Sequence, residues 1–385
     1  MVVQTKTGGR YTTSASVDSS IGKGADLKTS LSINEDQVIK TLVSIGKDDP
    51  TRAEANRAAT VLRILQGGLN LMDDNPWVQN IWLRPEPVWP EEWSVKTPSA
   101  QKDNLDRITH LNPSQRRAAK AMLSDLDQHR ITIIQGPPGT GKTSVIAATV
   151  QQSIAMGKTG LWLVAQSNVA VKNIAEKLEK VGFHDYRLLV SKDFHFEHEH
   201  IYDSVKANVI RSDQFKFISR KDLKDVKVIL CTISMLSNNF LKKFLPFVPF
   251  NTLIIDEASQ IEIGAYIPIF TTFTTLRKTC FIGDDKQLPP FGQDNLEDLQ
   301  SIFEVPHLCD NVIFLDTQYR MPPQLGDFIS QAVYNGQLKS NPLHPITSEM
   351  VTIKIVDAEG SEQPSGDSFQ NKAECREIMK IAAIL

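Results

Sequence analysis

Residues Ile131 to Ser144 read ITIIQGPPGTGKTS, an apolar β-rich run that ends in a glycine-rich turn and a Lys-Thr pair. The pattern G-x-x-x-x-G-K-[ST] is filled. Ile131, Ile133 and Ile134 supply a strand, Val145 to Ala148 open a helix, and Gly136, Gly139 and Gly141 free the backbone to curl between them. Such a turn is an anion nest, with backbone N–H groups of the loop and of the helix N-terminus aimed at phosphate oxygens. Lys142 adds a point charge for the β- and γ-phosphates, and the Thr143 hydroxyl can ligate Mg²⁺. A second chemical pair, Asp256 and Glu257, closes the apolar run Leu253 to Ile255. Two adjacent carboxylates at a strand end are costly to bury unless a metal or hydrogen bonds compensate them. Beside a phosphate loop they acquire distinct roles: Asp256 holds Mg²⁺ directly or through water, and Glu257 activates the attacking water as general base.

Further polar residues stand at the ends of other apolar runs. Gln115 follows Asn112-Pro113-Ser114 at the start of a helix, where its amide suits the N6/N7 edge of adenine and equally suits a cap. Ser167 and Asn168 follow the run Leu161 to Ala165, and Thr232 ends the run Val228 to Cys231. Ser167 and Asn168 fit contacts to the phosphate or sugar of a strand crossing that face, and a plain N-cap is the competing reading. Gln287 precedes Leu288-Pro289-Pro290 in a rigid loop fit to sense a γ-phosphate and pass its position on through Leu288 and the prolines. Tyr319-Arg320 sets a ring beside a cation, a pairing suited to stacking on a base and to phosphate charge.

These residues need a common edge to converge. Buried apolar runs alternating with amphipathic helices predict an α/β fold with a mostly parallel sheet, whose ligands sit at the carboxyl ends of the strands. Residues 1–35, rich in Ser, Thr, Gly and Lys, read as a flexible tail. Two amphipathic helices are expected next, one through Val38, Leu42 and Ile45 and one through Ala53, Val61, Leu62 and Leu65. The proline-punctuated segment that follows holds four of the five tryptophans, Trp77, Trp82, Trp89 and Trp93. It suits wrapping onto a neighbouring domain, or stacking on unpaired bases. The organisation expected is a helical and Trp/Pro-rich extension over 36–107, a motor domain over 108–317 and the beginning of a second over 318–385.

Composition excludes little. The 385-residue chain has a formal net charge of −3, so any nucleic-acid surface must be a local patch. Cys231, Cys280, Cys309 and Cys375 lack C-x-x-C spacing, and a reducing, intracellular compartment, cytoplasmic or nuclear, fits them best. His195, His198 and His200 lie close together without thiolates, so a solvated segment is the default over a metal site. No stretch approaches a membrane-spanning length.

LNPSQRRAA, GPPGTGKTS, AQSNVAV, DEASQ, GDDKQLPP and QYRMPP, in this order over about 108–338, resemble the motifs of superfamily 1 helicases. The resemblance is strongest to the 5′-to-3′ subgroup of the nonsense-mediated-decay RNA helicase and the senataxin-like enzymes. It implies a RecA-like P-loop NTPase that binds ATP and Mg²⁺ and works on single-stranded RNA or DNA. Gln115 is then similar to the adenine-reading glutamine. Gly136, Pro137, Pro138, Gly139, Thr140, Gly141, Lys142, Thr143 and Ser144 correspond to the phosphate loop, with Thr143 and Asp256 at the metal. Glu257 resembles the water-activating carboxylate, Gln287 the γ-phosphate sensor, Tyr319 the ring stacked on adenine, and Arg320 the arginine at the γ-phosphate. Ser167, Asn168, Thr232 and Pro289 fall where the family touches the nucleic-acid backbone. The family's later motifs, a Gln-Gly-Glu loop and a further catalytic arginine, have no counterpart in 338–385, and losing such an arginine costs roughly a thousandfold in turnover. An ATP-dependent helicase is therefore the leading expectation. A catalytically impaired nucleotide- and nucleic-acid-binding regulator or scaffold is the alternative, and a P-loop ATPase that remodels protein is a third.

Overall fold

The computed structural model describes residues 51–67, 70, 74–83, 86–93, 106–192, 199–293, 299–346, 356–358, 360–365 and 368–383, with five short strands between residues 2 and 41. The chain forms two compact units, Met1–Thr51 and Arg52–Leu385. In the first, Val2–Gln4 pairs antiparallel with Arg10–Thr12 and with Val38–Thr41, and Ala15–Ile21 pairs with Gly24–Thr29. The segment expected to be a tail thus carries strands. Val38 belongs to a strand and not to a helix, because VIKT is as good a β-branched pairing segment as a helical turn. Leu42 and Ile45 lie outside the described residues.

The second unit is built on one sheet of eight strands: β1 Ile131–Gln135, β2 Leu161–Ala165, β3 Tyr186–Val190, β4 Val209–Arg211, β5 Val228–Thr232, β6 Thr252–Asp256, β7 Lys278–Gly283 and β8 Ile313–Phe314. Their spatial order is β8-β1-β7-β6-β2-β5-β3-β4, and every pairing is parallel. The fold is RecA-like α/β. Parallel strands buried on both faces read as continuous apolar runs, and the period of two sorts their side chains between two cores. Trp162 and Val164 of β2 join Ile133, Ile229, Leu253, Ile255 and Phe281 on one face. Leu161, Leu163 and Ala165 join Ile134, Leu230, Ile254, Cys280 and Ile282 on the other.

Among the helices are α1 Arg52–Leu65, α2 Pro113–Leu123, α3 Lys142–Ala155 and α4 Asn168–Lys180, then α5 Pro323–Val333 and α6 Lys372–Ala382. Ala118 and Met122 of α2, Val145 and Ala148 of α3, and Val171 and Ile174 of α4 cover the second face. The first face is covered by Leu236 to Phe273 and by the Trp-rich segment. Trp77 stacks on Phe270 at 5.4 Å between ring centroids and meets Trp89 edge-on at 4.9 Å. Arg277 lies 4.4 Å above the Trp93 ring. The aromatic segment is therefore a packed interface, as an apolar body needing burial requires. Helix α1 departs from the amphipathic expectation, because Val61, Leu62 and Leu65 are exposed; it is tied down by Arg57 to Glu262 at 2.5 Å and by Asn56 to the Ser237 carbonyl.

Candidate nucleotide site

Parallel pairing brings the carboxyl ends of β1, β2, β5, β6 and β7 to one edge of the sheet, with Gly283 level with Gln135 and Asp256 level with Ala165. The loop after β1 turns sharply through Gly139 and Gly141, at φ of 77° and 80°. Both lie in the left-handed region that a Cβ disfavours. A Cβ on Gly139 would stand 2.5 Å from that of Arg320. Thr140 braces the loop by donating its hydroxyl to the Pro137 carbonyl at 2.7 Å, and Lys142 Nζ reaches back to the Gly136 carbonyl at 2.8 Å.

The loop forms the floor of a cavity of about 460 Å³ walled by Asp256, Glu257, Gln287, Tyr319 and Arg320. Pro137, Pro138, Gly139, Thr140, Gly141, Lys142, Thr143 and Ser144 all line it, so the residues singled out for phosphate, metal and water converge. Asp256 is buried, and its Oδ1 accepts the Glu257 N–H at 3.0 Å. Burial first, then the neighbouring Glu257 charge, push its carboxyl up to about 7, against the pull of Lys142. Glu257 is a non-glycine residue at φ 53°, ψ 38°, and its Oε2 is buried without a hydrogen-bond partner among the described residues. A divalent cation fits this setting. It would offset the charge of a carboxylate that burial disfavours, with Thr143 and Asp256 as its oxygen donors.

Tyr319 and Arg320 reach the cavity from the turn before α5. The Tyr319 N–H donates to the Gly139 carbonyl at 2.9 Å, and its hydroxyl accepts from Asn112 Nδ2 at 2.8 Å. Gln115 takes the capping geometry, one of the two roles its position allows. Its Nε2 donates to the Thr140 carbonyl at 2.8 Å, its Oε1 accepts the Asn112 N–H at 3.1 Å, and it does not line the cavity. The capping reading describes this geometry: Asn112 and Gln115 form a reciprocal box at the start of α2. Ser167 is likewise an N-cap, accepting the Ala170 N–H at 3.1 Å. It is exposed next to Asn168 on the same edge as Thr232, whose strand is level with β2. Pro289 is exposed in the loop after β7.

Several residues at the site are assigned no role by the sequence motifs. Ala170 and Asn173, on the first turns of α4, also line the cavity. Asp284 is fully buried, and its Oδ2 accepts both Gln287 Nε2 at 2.7 Å and the Tyr334 hydroxyl at 2.6 Å. Ser114 bridges to Asp316 at 2.7 Å. The pairs across Asp284–Tyr334 and Ser114–Asp316 leave no local pattern to read. Asn173 shares a face of α4 with Ala170, three residues before it. His195 and His198, with the side chain of His200, lie outside the described residues, and among the described residues no three His, Cys, Asp or Glu side chains gather as a metal site.

Comparison with known proteins agrees with this geometry. A family model described as an AAA domain, AAA_11, matches residues 110–211 and 197–293, and a second AAA domain model, AAA_12, matches 298–385. ECM32 of Saccharomyces cerevisiae is 31% identical over 324 residues, covering 71% of this chain and 28% of its own. The regulator of nonsense transcripts 1 homolog of Arabidopsis thaliana is 27% identical over 341 residues, 76% of this chain and 26% of its own. The DNA replication ATP-dependent helicase/nuclease DNA2 of Gallus gallus is 31% identical over 279 residues, 69% and 26% respectively. The chain spans little more than a quarter of the length of each of these relatives. With the motif order and the RecA-like sheet, these matches give the assignment: the chain belongs to the superfamily 1 helicases, in the group that includes regulator of nonsense transcripts 1.

Proposed function

We propose that the chain binds Mg·ATP in the cavity at the phosphate loop and hydrolyses it in response to single-stranded nucleic acid. The observation that carries this reading is the convergence of Lys142, Thr143, Asp256, Glu257, Gln287 and Arg320 on one cavity of about 460 Å³. The loop N–H groups and Lys142 bind and orient the phosphates. Thr143 and Asp256 would hold Mg²⁺, which would supply charge stabilisation for the transferred phosphoryl group. Glu257 takes a proton from the attacking water, and its unpartnered buried Oε2 is the acceptor available for it. Arg320 faces the charge that develops on the transferred phosphoryl group. Tyr319 offers a ring to the base. Gln115 would act on the nucleotide through the loop it braces, unless its amide leaves the Thr140 carbonyl when adenine enters.

The strand would cross the edge carrying Ser167, Asn168, Thr232 and Pro289, held by its backbone, so one site serves RNA or DNA. That ambiguity matches the relatives, one named for nonsense transcripts and one for DNA replication. Cys231 and Cys280 are free and buried, which suits a reducing, intracellular setting, and among the described residues no helix is long and apolar enough to cross a membrane. The impaired-regulator reading differs in one outcome, turnover. The test is ATP hydrolysis with and without poly-uridine RNA or single-stranded DNA, with Glu257→Gln as the blank. Stimulated turnover absent from the variant supports the motor. Tight nucleotide binding with no turnover supports the regulator.

A further inference from the structure

Asp284 stands between the nucleotide cavity and α5. Its side chain is fully buried at the end of β7, where an isolated carboxylate would be strongly disfavoured. It is instead shared. Oδ2 accepts Gln287 Nε2 at 2.7 Å and the Tyr334 hydroxyl at 2.6 Å, and Oδ1 accepts the Lys286 N–H at 3.2 Å. Charge-assisted bonds of this length fix both partners in direction. A carboxamide nitrogen carries two N–H donors, so one committed to Asp284 sets the amide plane and leaves the other, with the carbonyl oxygen, for the cavity.

Tyr334 is the residue immediately after α5, is itself buried, and packs against Phe314 of β8. Tyr319, in the turn that leads to α5, donates its N–H to the Gly139 carbonyl of the phosphate loop at 2.9 Å, and Arg320 follows it. The segment 319–334, most of it the 11-residue α5, therefore meets the phosphate loop at one end and Asp284 of the Gln287 loop at the other. We propose that Tyr334 is a positioning residue for Gln287: through the shared Asp284 carboxylate it holds the γ-phosphate sensor in register with α5, so that displacing the helix releases the sensor. This rests on the nucleotide reading of the cavity and adds to it a residue 50 positions from Asp284 in sequence.

Tyr334→Phe removes the hydroxyl and keeps the ring against Phe314, so the fold is retained. The readout is the ratio of affinities for a fluorescent non-hydrolysable ATP analogue and for fluorescent ADP, each with Mg²⁺, which needs no turnover. Tyr334→Phe is expected to lower the preference for the triphosphate roughly 3- to 10-fold, the scale of one ordinary hydrogen bond lost by a misdirected amide. Gln287→Ala is expected to lower it at least as far. In the double variant Tyr334→Phe adds nothing further, because both act through one amide. Asp284→Asn, which weakens both bonds, is expected to reproduce the loss. An unchanged preference in Tyr334→Phe, or an effect fully additive with Gln287→Ala, overturns the proposal while leaving the nucleotide site standing. Absence of nucleotide binding by the unaltered chain overturns both.

Discussion

Glu257 makes the site costly to the fold, and that cost is measurable. Its backbone sits at φ 53°, ψ 38°, where an L-residue with a long side chain is disfavoured by about 1–2 kcal/mol. Its Oε2 is buried without a partner among the described residues, which adds about 1–3 kcal/mol. Glu257→Gly removes both and returns about 0.5–1 kcal/mol of unfolded-state entropy to the other side. The net expectation is a gain of roughly 1–4 kcal/mol, about 2–4 °C in melting temperature for each kcal/mol. Glu257→Gln keeps the backbone conformation and the bulk, so it should gain less. Thermal unfolding of the nucleotide-free chain and its two variants provides the measurement, with ATP hydrolysis recorded alongside. The expected order of stability is Gly above Gln, with hydrolysis abolished in both. A glycine variant no more stable than the glutamine variant would refute the strain argument, and undiminished turnover in either would remove Glu257 from the mechanism.

Gly139→Ala should weaken ATP-analogue binding by about tenfold or more, because the left-handed φ and the approach of Arg320 oppose the new methyl together. Gly157→Ala, at a similar φ of 76° but with open space around it, should cost only stability, and equal binding losses in the two would contradict this. Trp77→Ala should destabilise by about 3–5 kcal/mol in denaturant titration, while the folded fraction keeps its affinity for single-stranded RNA; a selective loss of that affinity would favour base stacking instead. Burial and the Glu257 charge push the Asp256 carboxyl up to about 7 from near 3.9 unfolded, so its protonated form favours folding below pH 4 and that contribution is lost as pH rises to about 7. Melting of the nucleotide-free chain against Asp256→Asn should therefore show the variant gaining relative stability over that range and then levelling, and a pH-independent difference would contradict it.

The strands β1, β2, β5 and β6 were legible because a strand buried on both faces must be apolar throughout, as in Leu161 to Ala165 or Leu253 to Ile255. Their polar carboxyl-end residues were legible for the same reason, since Thr232 or Asp256 interrupts such a run only where the sheet edge begins. β4 was not, because three residues at the sheet margin, Val209 to Arg211, carry too little pattern to separate from a loop. The first unit was misread because Ser- and Thr-rich segments satisfy both a solvated tail and a hairpin, and composition alone cannot say which pairs. Gln115 illustrates a limit of a different kind. The capping box takes its Oε1 and the Thr140 carbonyl its Nε2, and sequence spacing alone does not separate a cap from a contact to a base. Asp284 with Tyr334 and Asn112 with Tyr319 were invisible because tertiary structure, not spacing, brings them together.

The central claim is that the loop of Gly136 to Ser144 is a Mg·ATP site. Titration of a fluorescent ATP analogue into the unaltered chain and into Lys142→Ala, each with and without Mg²⁺, tests it most directly. The account predicts saturable, Mg²⁺-dependent binding that Lys142→Ala weakens by about tenfold or more, the loss of a charge-assisted contact to phosphate. Equal binding by the two chains, or binding indifferent to Mg²⁺, would contradict it.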